Sequence, residues 1–148
     1  MLTRELIEKE IIGVGWHFPV RVDRRFDGEA APPDRGRGGV ALARHESDIE
    51  QAIRIILSTS KGERRMRPTF GCDIHTLMFA PANPTTFGLM RHYVEEALNI
   101  WEPRITLRFV EVTSTGANGR VDLEIGYEVL ATKDERSLVY PFYLVGEE

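Results

Sequence analysis

In Trp101-Glu102-Pro103-Arg104-Ile105 a helical pattern gives way to a strand pattern across a single proline. Pro103 has no N–H to donate and disfavours helical geometry at the residue before it, so a helix should end at Glu102. In extended chain, Glu102 and Arg104 are two residues apart and their side chains lie on one side. We therefore predict a helix-to-strand corner that presents an acid and a base together.

The helix that leads into this corner begins at Asn83-Pro84, an N-cap residue followed by proline at the first helical position. Its apolar residues recur on one face: Phe87, Met90, Val94, Ala97, Leu98 and Trp101. Burying such a side chain is worth roughly 1.5 to 3 kcal/mol, whereas an exposed ion pair contributes about 0 to 1 kcal/mol. We therefore expect folding not to need the Glu102–Arg104 pair, which leaves it to solvent, to local capping or to a partner chain.

Upstream, the sequence predicts a second helix and a basic loop. Ser47-Asp48-Ile49-Glu50 has the form of a capping box, and the apolar spacing after it predicts a helix that ends near Ser58. The segment 61–71 contains two glycines and a proline and should be a structured loop. Its charged residues include Glu63, Arg64, Arg65 and Arg67. An acidic partner or a phosphate would suit the arginines, and a solvated loop also accounts for them.

Three strand patterns follow the corner, at residues 105–113, 121–131 and 138–145, with turn-forming residues between them. In the middle strand, apolar residues alternate with Asp122, Glu124, Gly126 and Glu128, which predicts one buried and one wet face. Pro141 marks the last strand as an edge strand, because proline cannot donate to a ladder. The predicted fold class is α+β, a three-stranded antiparallel meander covered on one face by two main helices.

Residues 1–45 are predicted to form an extended N-terminal arm, and residues 46–148 a single α+β domain. Alternating apolar residues over 14–22 predict a strand, which Pro19 restricts to a sheet edge or an arm. This strand is the candidate for a fourth strand of the meander. Residues 23–43 are rich in proline, glycine and arginine and predict a loop or linker.

Composition excludes several classes of function. The 148 residues are 42% hydrophobic and 28% charged, as in one soluble domain. The net charge is −4, slightly positive over residues 1–67 and negative beyond, which is too mild an asymmetry for a nucleic-acid partner. No apolar run approaches the roughly 18 residues of a membrane span, and the N-terminus lacks a signal-peptide core. We expect a protein that stays in the cytoplasm, without membrane insertion.

Residue types that bind metals or carry catalysis are scattered. The four histidines have no ligand spacing, and the single cysteine, Cys72, excludes a disulfide framework and a thiolate cluster. No nucleophile motif or phosphate-binding glycine loop is present. We therefore expect no cofactor and no metal.

Three sequence blocks occur in order. They are residues 49–57 leading into Gly62-Glu63-Arg64, then Pro68-Thr69-Phe70-Gly71 with Leu77 and Phe79, and finally the corner itself. Together, over residues 46–131, they resemble the baseplate wedge or sheath-initiator family of contractile phage tails, type VI secretion systems and phage-tail-like injection particles. Members are often labelled lysozyme-like. Which of these systems the chain serves is left open.

The resemblance implies a structural role in the inner baseplate. The family's Glu-Pro-Arg motif, here Glu102, Pro103 and Arg104, joins wedge proteins, and the domain starts sheath polymerisation. The implied partners are wedge proteins, the sheath protein, and hub, spike or tube-initiator proteins, with several copies in a ring and assembly in the cytoplasm. We add Glu63, Arg64, Arg65 and Arg67 to the motif as candidate partner-binding residues.

A meander leaves two outer strands with unpaired backbone groups, which supports sheath initiation by β-augmentation. Residues 105–113 and 138–145 fit equally as the strand that accepts the partner.

The lysozyme-like label provides an alternative, an inner-baseplate muramidase. Glycoside hydrolysis usually needs two carboxylates roughly 5 to 9.5 Å apart across a cleft, one with a raised pKa. The candidates are Glu63, Glu95, Glu96 and Glu102. Because arginines near Glu63 and Glu102 would keep both ionised, and none of the four has the pattern of a buried acid, we expect a binding protein and not an enzyme.

Overall fold

The computed structural model describes residues 14–16, 18–20, 42–44, 46–115 and 119–145. In chain order the elements are β1 (Val14–Trp16), β2 (Leu42–Arg44), α1 (Glu46–Ser58), a 3-10 helix (Asp73–Leu77), α2 (Pro84–Trp101), β3 (Ile105–Ser114), β4 (Arg120–Val129) and β5 (Glu135–Tyr143). Residues 1–51 and 52–148 form two compact units. The predicted division after residue 45 stays a prediction.

The first unit contains a two-stranded antiparallel sheet in which β1 pairs with β2. The predicted arm strand is confirmed over 14–16 only, since the described residues 18–20 are not strand. The fourth-strand alternative is wrong for β1, which pairs with β2 in a two-stranded sheet separate from the meander. Residues 42 and 43, predicted as loop, also belong to β2. Residues 17, 21–22 and 23–41 of these two predictions lie outside the described residues.

The second unit is built on an antiparallel sheet in the order β3-β4-β5, the predicted meander. Val110 of β3 lies opposite Ile125 of β4, which lies opposite Leu138 of β5, and all three are buried. Alternate residues of the three strands therefore share one buried face. With the two helices, this sheet confirms the α+β class.

The helices supply the rest of the core. α2 packs against β3 and the 3-10 helix, and its most deeply buried apolar side chains are Met90, Val94, Ala97 and Leu98. α1 contributes Ile53, Ile56 and Leu57. His75 of the 3-10 helix places Nε2 2.8 Å from the Leu57 carbonyl oxygen and its ring edge-on to Phe142. The predicted apolar stripe of α2 thus lies in the core, except for Phe87 and Trp101, which are half-buried.

The opposite face of the sheet is only partly wet. Glu124 is exposed as predicted, but the expectation is wrong for Gly126 and Glu128, which are buried. A β-bulge between Leu107 and Phe109 sets Phe109 opposite Gly126, where its ring occupies the space that a Cβ would fill. Glu128 is covered by its ion pairs with Arg108 and Lys133.

The basic segment after α1 is a closed loop, as predicted. The Cys72 N–H donates to the Thr59 carbonyl at 2.9 Å, and the Gly62 N–H donates to the Pro68 carbonyl at 2.7 Å. Gly71 adopts φ +119°, and a Cβ there would collide with the Thr59 carbonyl oxygen. Only glycine allows this approach of two backbone segments at the base of the loop.

This geometry predicts a large cost for Gly71→Ala. We expect the free energy of unfolding, measured by urea denaturation, to fall by roughly 2 to 3 kcal/mol, because the backbone clash adds to the strain of a positive φ. Gly62→Ala is the matched control: its φ is +87° but its Cβ would meet nothing, so the loss should be about 1 kcal/mol. Equal losses in the two variants would contradict the role of the Gly71–Thr59 contact.

Candidate partner-binding site

Pro103 lies at the turn between α2 and β3. The Glu102 N–H donates to the Leu98 carbonyl at 2.9 Å and closes the last helical turn, so the predicted helix end is confirmed. The Arg104 carbonyl accepts from the Leu130 N–H at 3.0 Å, just beyond the end of β4. The corner is therefore fixed to both the helix and the sheet.

Glu102 and Arg104 form a two-pronged ion pair. Arg104 Nε lies 2.6 Å from Glu102 Oε1, and Arg104 Nη2 lies 2.8 Å from Oε2. The predicted juxtaposition is confirmed, but the expectation of an exposed pair is wrong. Glu102 is only 3% exposed, whereas the Arg104 side chain is 30% exposed. A buried carboxylate needs its counter-charge, so we expect removal of Arg104 alone to destabilise the fold.

Two aromatic rings join the loop to the corner. The Phe70 ring meets the Trp101 ring edge-on, with centroids 5.0 Å apart and planes at 60°. The Arg64 guanidinium lies 4.2 Å from the centroid of the Phe70 ring, within cation–π range. Arg64, Phe70 and Trp101 thus link the loop to the residue before Glu102. The sequence predicts both segments but not the contact between them. The only signal for this contact was an aromatic residue in each of the two segments.

The outer surface of the loop is exposed and basic. Residues 61–69 are all exposed, and Met66 reaches 94% exposure. Within the described part of the chain, Arg65 and Arg67 take part in none of the ion pairs. Pro103 is exposed as well. We call the surface formed by Arg64, Arg65, Arg67, Pro103 and Arg104 the arginine corner.

Glu63 belongs to the same loop but has an internal role. Its Oε2 accepts from the Ser60 N–H at 3.0 Å, which ties the start of the loop together. Among the candidate residues it is therefore the one whose charged group faces the loop's own backbone.

Lys61 stabilises the base of the loop through two carboxylates. Lys61 Nζ lies 2.5 Å from Asp73 Oδ2 and 3.7 Å from Glu96 Oε2. The hydrogen bond to Asp73 raises the pKa of Lys61 above its usual value. Beside them, burial raises the pKa of Cys72 to about 11, so the thiol is protonated at neutral pH and packs as a small apolar residue.

The carboxylates considered for hydrolysis already have partners. These partners are the Ser60 N–H for Glu63, Arg91 for Glu95, Lys61 for Glu96 and Arg104 for Glu102. Among the described residues, no cluster of three or more histidine, cysteine or acidic side chains could hold a metal ion. Neither described α-helix is long and apolar enough to cross a membrane.

The burial of Glu102 leads to a prediction about stability. We expect Arg104→Ala to lower the free energy of unfolding by about 2 to 3 kcal/mol, because it leaves a buried carboxylate without its counter-charge; the partial exposure of Arg104 keeps the loss below that of a fully buried pair. Arg67→Ala, at an exposed position, should change stability by less than about 0.5 kcal/mol.

A second substitution separates charge from packing in this experiment. In the Arg104→Ala background, Glu102→Gln removes the uncompensated charge and should recover part of the lost stability in urea denaturation. An Arg104→Ala protein as stable as Arg67→Ala would show that the pair is not needed for the fold.

Comparison with known proteins places this geometry in a family. The family model for baseplate wedge protein gp25 matches residues 43–134, which include the loop, the corner, β3 and β4. Baseplate wedge protein gp25 of Enterobacteria phage T4 is 30% identical over 87 residues, a match that covers 59% of this chain and 66% of the phage protein.

Solved structures agree with the family model. A protein of Geobacter sulfurreducens, provisionally named a tail lysozyme, is 48% identical with a TM-score of 0.67, over 72% of this chain and 96% of that chain. A chain of the anti-feeding prophage baseplate shares the fold, with a TM-score of 0.59 and 24% identity over 89% of this chain and 85% of its own. The resemblance seen in the sequence is confirmed: the chain belongs to the baseplate wedge gp25 family of contractile phage tails.

Proposed function

We propose that this chain, a structural component of a contractile-tail baseplate, joins neighbouring wedge proteins through the arginine corner and initiates sheath assembly by β-strand addition. The docking part of this proposal is supported by a surface in which one arginine is held in place from below and other arginines are exposed. Glu102 is buried and holds Arg104 from within, while Arg65 and Arg67 point charge outward without an ion-pair partner among the described residues.

A rigid arginine surface suits a protein interface. Arginine is enriched among the residues that dominate binding energy, because its planar guanidinium can donate several hydrogen bonds to a carboxylate. At this site the Glu102 carboxylate fixes the orientation of Arg104, and the Phe70 ring supports Arg64. Side chains that are ordered before binding lose less entropy on binding. The partner surface is therefore acidic.

The family name supports the wider set of partners. Wedge proteins are the proposed partners of the arginine corner, and the sheath protein is the proposed partner of the sheet. Hub, spike or tube-initiator proteins would be further neighbours, with several copies of the chain in a ring that assembles in the cytoplasm. The two outer strands of the meander support the sheath contact, because outer strands carry unpaired backbone groups.

A charge reversal away from the buried pair tests the docking proposal. We expect Arg65→Glu to leave the free energy of unfolding within about 0.5 kcal/mol, yet to reduce the yield of assembled baseplates about tenfold or more, because a like charge is brought against an acidic partner. Yield is measured by electron microscopy of particles from a host that lacks the wild-type copy.

Arg54→Glu is the matched control, since Arg54 is exposed on α1, outside the arginine corner. Its particle yield should equal that of the wild type. Normal yield from Arg65→Glu, or equal losses from both variants, would contradict docking through this surface.

A muramidase remains the second candidate because a 48% identical relative carries a lysozyme name. A hydrolase of that kind needs one carboxyl group available as a proton donor and a second across a cleft. The partners of Glu63, Glu95, Glu96 and Glu102 argue against this arrangement. These partners indicate that the four carboxylates stabilise the fold.

We therefore expect the purified protein to release no reducing sugar from peptidoglycan, with hen lysozyme as the positive control. Turnover that is lost in Glu95→Gln or in Glu102→Gln would reverse the ranking of the two functions.

A further inference from the structure

Met66 lies at the tip of the basic loop and is not one of the residues of the arginine corner. It is the most exposed large apolar side chain of the described residues, at 94%, and Phe79 follows at 76%. Single exposed apolar residues are common on protein surfaces, so exposure alone does not indicate a binding site. For Met66, the fixed backbone of the loop and the charges beside it add to the exposure.

The backbone holds Met66 at the apex of a closed loop. The Arg67 N–H donates to the Arg64 carbonyl at 3.2 Å, a bond that closes a turn with Arg65 and Met66 at its two central positions. The 2.7 Å backbone bond that closes the loop encloses this turn. The two bonds limit the movement of the tip, and the turn presents the Met66 side chain to the outside.

The side chains around the tip fix the turn and surround it with positive charge. The Arg64 guanidinium, at the start of the turn, lies 4.2 Å from the centroid of the Phe70 ring. Arg65 and Arg67, on either side of Met66, are exposed and take part in none of the ion pairs of the described segments. An apolar side chain on a fixed turn therefore lies between two cations.

Magnitudes distinguish the methionine from the arginines. Because the Met66 side chain is 94% exposed, it adds almost no apolar burial to the fold, and this burial is available to a partner. Full burial of a methionine side chain is worth roughly tenfold to a hundredfold in affinity. An exposed ion pair is worth about fivefold or less. Burial of Met66 would therefore contribute more affinity than an ion pair of Arg65 or Arg67.

The chemistry of these side chains defines the surface that would receive them. Methionine is unbranched and flexible, with a polarizable sulfur, so it fills irregular apolar space. Residues that dominate binding energy lie at the centre of an interface, and the contacts around them exclude water. Arg65 and Arg67 need carboxylates in that surrounding position, because cations that face like charges oppose binding.

We propose that Met66 is the apolar anchor of this surface. Its side chain inserts into an apolar pocket of a wedge protein, and carboxylates at the rim of that pocket face Arg65 and Arg67. The inference rests on the proposed docking through the arginine corner. It adds the residue that contributes most to affinity and the chemistry of the partner, which is one apolar pocket with an acidic rim.

Substitutions of Met66 test the pocket. Met66→Gln keeps the length of the side chain and makes it polar, whereas Met66→Leu keeps it apolar. Both variants should keep the wild-type free energy of unfolding in urea denaturation, because the side chain is exposed. In a host that lacks the wild-type copy, we expect Met66→Gln to lower the yield of baseplates seen by electron microscopy about tenfold or more. Met66→Leu should keep most of the yield.

Leu89→Gln is the matched control, since Leu89 is an exposed apolar residue of α2, outside the loop. Its yield should equal that of the wild type. Normal yield with Met66→Gln overturns the anchor, and the docking proposal stands if Arg65→Glu still lowers the yield. Normal yield with both overturns docking at this surface. Equal losses with Met66→Gln and Met66→Leu, or with Met66→Gln and Leu89→Gln, overturn the apolar pocket.

Oxidation measures the burial of Met66 directly. Hydrogen peroxide transfers one oxygen atom to the methionine sulfur and becomes water, so the product is the sulfoxide. The rate is followed by mass spectrometry in the free chain and in purified baseplates. Met90, which is fully buried in the free chain, provides the rate of a protected methionine. We expect Met66 to react severalfold more slowly in baseplates. Equal rates in the two samples overturn the insertion of Met66 into a pocket.

A lysine variant tests the acidic rim. A carbodiimide joins a lysine amine to a carboxylate in contact with it, and takes up the water that is lost as the amide forms. In baseplates that contain Arg67→Lys, we expect a cross-link from residue 67 to an aspartate or glutamate of a wedge protein, beside apolar residues. The wild type should give no cross-link from this position. No cross-link in the variant overturns the acidic rim, and a cross-link to a second copy of this chain overturns the wedge protein as the occupant.

Discussion

A carboxylate buried at the end of a helix needs a counter-charge close to it. Here the counter-charge belongs to the residue two positions further along the chain. Glu102 is almost fully buried and Arg104 grips both of its oxygens. Pro103, between them, ends α2 and turns the chain into β3. One tripeptide therefore stops a helix, starts a sheet and fixes an arginine at the surface. The basic loop, β3 and the proposed docking surface all adjoin this point.

In the proposed function, the motif serves folding and binding at once. We expect a substitution of Glu102 or Arg104 to disturb the corner even without a bound partner. Failed assembly of such a variant therefore does not distinguish misfolding from lost binding. Arg65 and Arg67 lie on the same surface without an internal ion pair among the described residues. Substitutions of these two loop arginines therefore test binding at this surface separately from folding.

Features set by a few adjacent residues were predictable from the sequence. The end of α2 depends on Pro103, its start on Asn83, and the buried face of β4 on strict alternation. Features set by distant contacts were not. Glu102 is buried because elements remote in sequence, such as the end of β4, pack around the corner. The spacing of neighbouring residues cannot predict such contacts.

The sheet shows the same limit. The bulge at Leu107/Phe109 adds one residue and places Phe109 opposite Gly126 on the outer face, which alternation alone cannot reveal. The outward position of Pro141 likewise depends on the register with β4, which becomes known only from the paired strands. The sequence predicted β5 as an edge strand, and the register was needed to see which of its residues point away from the sheet.

We propose that the protein acts by holding one neighbour at the arginine corner and another along an outer strand. The most direct measurement is a cryo-electron microscopy reconstruction of an assembled baseplate that contains this chain. We predict acidic partner density against residues 64–67 and 103–104 and a foreign strand beside β3 or β5, the two outer strands of the meander. A reconstruction in which the corner faces solvent and no strand lies along the sheet would contradict the claim.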